Sequence, residues 1–238
     1  MKPARHGYAG AMTDLPSVLS APFRLGSALR GARIFHPRGA TFEGTAELGS
    51  SWWPRQMPRH LPVIARLSRG IGTPDGLPDV LGLAIRFPLD SGPWDVLLAS
   101  AYLPGRVTLS PARSWSSAGY STLMAYRTHV DPTPRWITVV PRGEQPSSTT
   151  SVEALRGPLP FSLLVGSARG PLEGAGTLVL ERRIPESDEN QPSFDPTVHC
   201  PDFVDPWPGW LGTVRRDAYR ASRTGRGAIL ARSGRTVS

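Results

Sequence analysis

The stretch PVIARLSRGIGTPDGLPDVLGLAIRFPLDSGPWDVL, residues 62–97, decides how this chain folds. Three of its runs are short and apolar: Val63 to Leu67, Leu81 to Phe87, and Trp94 onward to Ala99. Their length and bounding turns suit strands rather than helices. Asp90-Ser91-Gly92-Pro93 separates the second run from the third and reads as the turn of a hairpin. Arg66 and Ser68 are two apart on the first run, so their side chains share one face.

The same pattern continues on both sides of this stretch. Phe42 to Leu48, Trp136 to Val140, Phe161 to Val165 and Thr177 to Leu180 read as further strands. The 25 glycines and 26 prolines among 238 residues cut the chain into pieces too short for long helices. Repeated short strands with turns between them predict an antiparallel barrel or sandwich. Residues 1–32 form an N-terminal extension, with a short helix over Phe23 to Arg30 between Pro22 and Gly31. Residues 33–183 form the barrel core, and the acidic, proline-rich 184–209 reads as a connection over the surface. Residues 210–226 lack proline and place Leu211, Val214, Ala218 and Ala221 at helical intervals, which predicts a C-terminal helix. Residues 227–238 read as a loose tail. The expected class is therefore α+β, a barrel with flanking helices. Trp52-Trp53 reads as a surface or interface anchor. Tyr120 and Tyr126 read as barrel packing, either being able to act as a radical sink.

Composition narrows the function classes. The formal charge of +8 is almost all arginine, with no basic run of five or more. This argues against a nucleic-acid binder, since the arginines are scattered. Arginine also grips carboxylates in two-pronged fashion. No apolar run reaches the length of a membrane span, and the first thirty residues show no secretory h-region. The single cysteine, Cys200, forms no internal disulfide and fits a reducing cytoplasm. The histidines His6, His36, His60, His129 and His199 stand apart, without the paired ligands of a two-metal phosphodiesterase.

Three segments contain residues suited to chemistry. In the C-terminal helix Arg215 and Tyr219 are four apart and share a face. By itself the pair reads first as a surface contact. A guanidinium beside a phenol also favours the phenolate, which is a ligand for ferric haem iron. In Arg33-Ile34-Phe35-His36-Pro37-Arg38, a histidine after two bulky apolar residues suits a covered site, where an imidazole can move a proton between peroxide oxygens. On the first strand of the opening stretch, Arg66 could grip a haem propionate and Ser68 could orient His36.

Together, and in order, these segments resemble the haem catalases. RIFHPRGATFEGTAE resembles their distal segment, residues 62–97 their next strands, and RRDAYRASRTGR their proximal helix. The last resembles most the small catalase-related proteins, which keep barrel and haem without further domains. The resemblance implies haem b (iron protoporphyrin IX) with Tyr219 as axial iron ligand and Arg215 as its charge partner. It implies His36 as the distal acid–base and Ser68 as its orienting hydroxyl. Phe35 then screens the distal haem face, while Arg33, Arg66 and Arg226 meet propionates, with Arg223 nearby. It implies a peroxidase or catalase-like oxidoreductase acting on hydrogen peroxide or an organic hydroperoxide. The partners are peroxide and a small organic co-substrate, with no nucleic acid or membrane. A homodimer is compatible with this reading. A hydroperoxide-rearranging or biosynthetic haem enzyme, or a haem binder without turnover, uses the same scaffold.

One departure changes the expected activity. The family places a distal asparagine five residues after the tryptophan that Trp94 matches, and here that position is Ala99. Ser100 would point to the opposite face of the strand. Loss of a preorganised donor costs about 10²–10³ in rate, so weak catalase activity and slower peroxidase chemistry are expected. Tyr219→Phe should abolish normal haem binding or shift the visible absorption spectrum. An unchanged spectrum would remove Tyr219 as the ligand.

Overall fold

Alternation of period two organises the first strand. Gly39–Leu48 (β1) buries Ala40, Phe42, Ala46 and Leu48 and points Glu43, Thr45 and Glu47 the other way. The computed structural model describes residues 39–74, 76–122, 124–185, 192–196 and 198–208. Nine further strands follow: β2 (His60–Arg69), β3 (Leu81–Phe87), β4 (Trp94–Ser100), β5 (Tyr120–Ser121), β6 (Ala125–Thr128), β7 (Trp136–Pro141), β8 (Leu159–Gly166), β9 (Glu173–Ile184) and β10 (Val204–Trp207). The order β1-β2-β3-β4-β5-β7-β8-β9 closes into an eight-stranded antiparallel barrel through β1 and β9. Strand β6 leaves that order and pairs with β10 as a separate ribbon.

Closure needs a local irregularity. The β1–β9 register shifts between Glu43 and Gly44. A Cβ on Gly44 would fall onto the carbonyl oxygen of Val179, so only glycine allows the two backbones to approach there. Inside, Phe42, Leu67, Leu83, Ile85, Phe161 and Leu178 are buried. An aromatic cluster joins them. Trp94 has its ring centroid 5.8 Å from Phe87, 6.2 Å from Trp53 and 5.5 Å from Tyr126. Trp53 Nε1 donates to the carbonyl of Ala175 at 2.7 Å. The Trp52-Trp53 pair is thus core, not the surface anchor expected from sequence: both rings are buried. The barrel interior removes more apolar area from water than a surface position would, and Ala175 satisfies the Trp53 N–H.

All seven predicted strands are present, several with longer ends. Three others were not predicted. Strand β5 is only two residues long, and β6 is AYRT, without clear alternation. Strand β10 lies inside 184–209, read from sequence as a plain connection, and includes Pro206. The flanking helices of the α+β expectation are absent among the described residues, whose only helical pieces are 3-10 turns at Trp115–Ser117 and Val152–Ala154. The short helix expected over Phe23 to Arg30 and the C-terminal helix 210–226 lie outside the described residues. Among the described residues no helix is long and apolar enough to cross a membrane.

The β2–β3 connection is organised around one carboxylate. Asp79 is fully buried and accepts from the backbone amides of Ile71 (2.8 Å), Gly72 (2.9 Å) and Thr73 (3.0 Å), and from Arg69 Nε at 3.2 Å. Burial works to raise its pKa, but the amides of Ile71, Thr73 and Gly72, with Arg69, hold the carboxyl below its ordinary value. Its contribution to stability is therefore complete above the unfolded pKa of about 4. It is lost as pH falls through the lower folded value. Asp79→Ala should lower unfolding stability by about 3–5 kcal/mol, because Arg69 stays buried beside it. A urea titration at neutral pH measures this, and the difference from wild type should shrink in strong acid.

Candidate functional site

The outer face of β1 to β4 presents Arg66, Ser68 and Ala99, three of the positions singled out by the sequence. Cross-strand partners share a face, and the register pairs Gly39 with Ser68, Ser68 with Gly82, and Gly82 with Ala99. One row thus runs Gly39, Ser68, Gly82, Ala99 across four strands. The next row is Thr41, Arg66, Ala84, Leu97. The inward parity belongs to Leu67, Leu83 and Leu98, all buried. With adjacent strands about 4.8 Å apart, Ser68 and Ala99 stand roughly 10 Å from each other. The upper row contains no side chain larger than serine, so the wall there is flat.

Arg66 and Ser68 lie on the same outward side, as their spacing predicts. Ser68 is buried and Arg66 half-buried. The guanidinium of Arg66 crosses Gly39: a Cβ on that glycine would stand 2.5 Å from Arg66 Cζ. A glycine at 39 is therefore what lets the cation lie against the upper row. On the same wall the Thr41 hydroxyl is buried without a hydrogen-bond partner. Ser100 turns to the opposite face from Ala99. Its hydroxyl accepts from the Leu81 amide at 3.0 Å and donates to the Ser110 carbonyl at 2.7 Å, so it cannot serve the outer wall. Arg33, Phe35, His36, Arg215, Tyr219, Arg223 and Arg226 lie outside the described residues.

A second cluster lies further along β3 and β4, and sequence reasoning missed it. Asp95 is fully buried and accepts two bonds from Arg86, Nε and Nη2, both at 2.7 Å. It also accepts from the Asp195 amide at 2.7 Å, and His199 Nδ1 lies 2.8 Å from its Oδ2. Arg86 Nη2 donates onward to the Ser193 carbonyl at 2.7 Å, and the guanidinium stacks 5.2 Å from the centre of the Phe194 ring. Hydrogen bonding to Asp95 raises the Arg86 pKa above its already high value. The result fastens Ser193, Phe194, Asp195 and His199 against the barrel. Its one sequence signal was an aspartate between apolar residues in WDV, with an arginine on the facing strand.

Desolvation acts on two other singled-out groups. Tyr120 is fully buried, and desolvation pushes its phenol far up, so it stays protonated. Desolvation, with Asp205 and Asp202 nearby, pushes the Cys200 thiol up to about 12, which leaves little thiolate at neutral pH.

Solved structures similar to this chain include catalases. A bacterial catalase matches 93% of this chain and 66% of its own, with 14% identity and a TM-score of 0.54. Catalase A from Saccharomyces cerevisiae gives 12% identity, a TM-score of 0.55, and coverage of 93% and 67%. A fungal catalase gives 14%, 0.52, and 90% and 64%. The fold is catalase-like. The chain spans about two thirds of the length of these catalases. No protein-family model matches the sequence, and no curated protein matches it.

In this catalase-like barrel the Asp95 cluster ties the late segment to the wall that also presents Arg66 and Ser68. Asp95→Asn removes one carboxylate oxygen from a network of four donors. It should cost about 3 kcal/mol of stability, the range for a broken buried pair. Limited proteolysis should then cut within 193–199 faster than in wild type.

Proposed function

We propose that the protein is a haem-dependent oxidoreductase that reduces hydrogen peroxide or an organic hydroperoxide with a small organic co-substrate. The observation that supports this most directly is the register Gly39–Ser68 on the outer wall of a catalase-like barrel. His36 precedes Gly39 by three residues, so the chain can separate them by at most about 10 Å. In this reading the imidazole of His36 works beside the Ser68 hydroxyl.

The wall also fits the cofactor. Gly82, Ala84 and Ala99 leave a flat surface for a planar ring, and Arg66, lying over Gly39, supplies a cation at its border for a propionate. In this reading Tyr219 holds the iron as phenolate and Arg215 keeps it ionised. Arg33, Arg223 and Arg226 complete the propionate contacts, and Phe35 excludes water from the distal face. Haem, when bound, supplies the redox chemistry that breaks the O–O bond. His36 takes a proton from one peroxide oxygen and returns it to the other, so that the departing oxygen leaves as water. Ser68 holds the imidazole in place for both transfers.

Ala99 supports a peroxidase over a fast dismutase. It faces the same wall as Ser68 and offers a methyl where the catalases offer a carboxamide. The same observation favours, as the second reading, a rearranging or biosynthetic haem enzyme, or a binder without turnover.

The test begins with the absorption spectrum of the full chain loaded with haem. A Soret band with the pattern of tyrosine-bound high-spin ferric iron is expected. His36→Ala should keep that band and lose the reaction with peroxide. Ala99→Asn should raise hydrogen peroxide disproportionation on the order of tenfold or more. Absence of a specific haem spectrum in wild type would end this reading.

A further inference from the structure

The row that runs Gly39, Ser68, Gly82, Ala99 does not stop at β4. Ala99 pairs with Ser121 on β5, and Ser121 pairs with Thr138 on β7. These partners inherit the outward parity, because Tyr120 and Val139, their neighbours in the next rung, are buried inward near Phe161. Ser121 and Thr138 are both fully buried, and neither hydroxyl has a hydrogen-bond partner. They face each other across one rung and still do not bond. A hydroxyl enclosed without a partner is destabilising, since it loses its water and gains nothing. Two such groups side by side, continuing the wall that meets the substrate, call for a ligand atom.

The surroundings indicate where that atom sits. The wall is open over Leu97 and partly open over Ala99, and it is closed over Ser121 and Thr138. A ligand oxygen therefore reaches the pair from the Ala99 side. Opposed side chains on neighbouring strands have Cβ atoms about 5 Å apart. An oxygen resting on the Ala99 methyl is thus within reach of the Ser121 hydroxyl. That place is the one a carboxamide at position 99 would occupy.

We propose that Ser121, backed by Thr138, donates the hydrogen bond to a peroxide oxygen that a carboxamide at position 99 would otherwise donate. With peroxide bound, Thr138 comes to donate to Ser121 Oγ, a bond absent from the fold alone, and the Ser121 hydroxyl is then oriented toward the peroxide. The inference rests on the haem-peroxidase reading and adds to it the group that binds the substrate oxygen.

The experiment compares wild type, Ser121→Ala, Thr138→Val and the double variant Ala99→Asn/Ser121→Ala, each as the full chain loaded with haem and mixed with hydrogen peroxide. Ser121→Ala should keep the Soret band and lose about tenfold in the rate of reaction with peroxide, less than the 10²–10³ of a fully placed donor, since Ser121 replaces the carboxamide only in part. Thr138→Val should lose less, and the double variant should recover most of the loss. In the haem-free protein, Ser121→Ala should leave the thermal midpoint unchanged or raise it, because no bond within the fold is lost. A lowered midpoint would show a structural hydroxyl and overturn the proposal. An intact Soret band with an unchanged peroxide rate would overturn it as well, while leaving the haem reading standing. A wild type without a specific haem spectrum would remove both together.

Discussion

A residue on a closed sheet has only two directions available, and the whole molecule depends on that parity. Once β1 pairs with β9, a slip of one position would send Phe42, Leu67 and Leu83 into water and bring Glu43, Arg66 and Ala84 inside. The hydrophobic cost of that exchange fixes the register. Fixing the register in turn fixes which side chains share the outer wall. Arg66, Ser68 and Ala99 face the same way because Leu67 and Leu98 must face the other way. The chemistry of the wall is thus set by the packing behind it.

Two enclosed carboxylates anchor what parity alone leaves loose. Asp79 gathers the amides of a glycine-containing connection at the end of β2. Asp95 holds Asp195 and His199 against β3 and β4, and its partner Arg86 holds Ser193. A carboxylate withdrawn from water is tolerated only when its lone pairs are filled, and both meet that condition. Each converts a stretch without regular secondary structure into part of a fixed surface. The second does so beside the row that the catalase likeness brings into focus.

Much of this was legible in the sequence. The hairpin at Asp90 to Pro93 and the seven longer strands follow from period and turn chemistry, and those signals are local. The shared face of Arg66 and Ser68, and the reversal of Ser100 relative to Ala99, follow from the same period. What was not legible depends on contacts between distant residues. Strand β5 has two residues and exists because Ser100 and Val139 flank it. Trp52-Trp53 has no alternation to say that it is enclosed, since Ala175, Phe87 and Trp94 do the enclosing. The Asp95 cluster joins residues about a hundred positions apart, which no window of sequence can relate. Arg215, Tyr219 and His36, by contrast, stand on sequence resemblance alone.

The ribbon of β6 and β10 is a part of the fold that closure does not protect. A barrel has no free strand edge, whereas among the described residues the far side of β10 has no paired strand. Along that side stands Pro206, whose nitrogen has no hydrogen to offer an incoming strand, and Pro208 follows directly after Trp207. Another chain approaching in extended form finds an interrupted ladder and cannot add to it. The prolines that blurred this strand in the sequence take away the donors that a strand added at this edge would need.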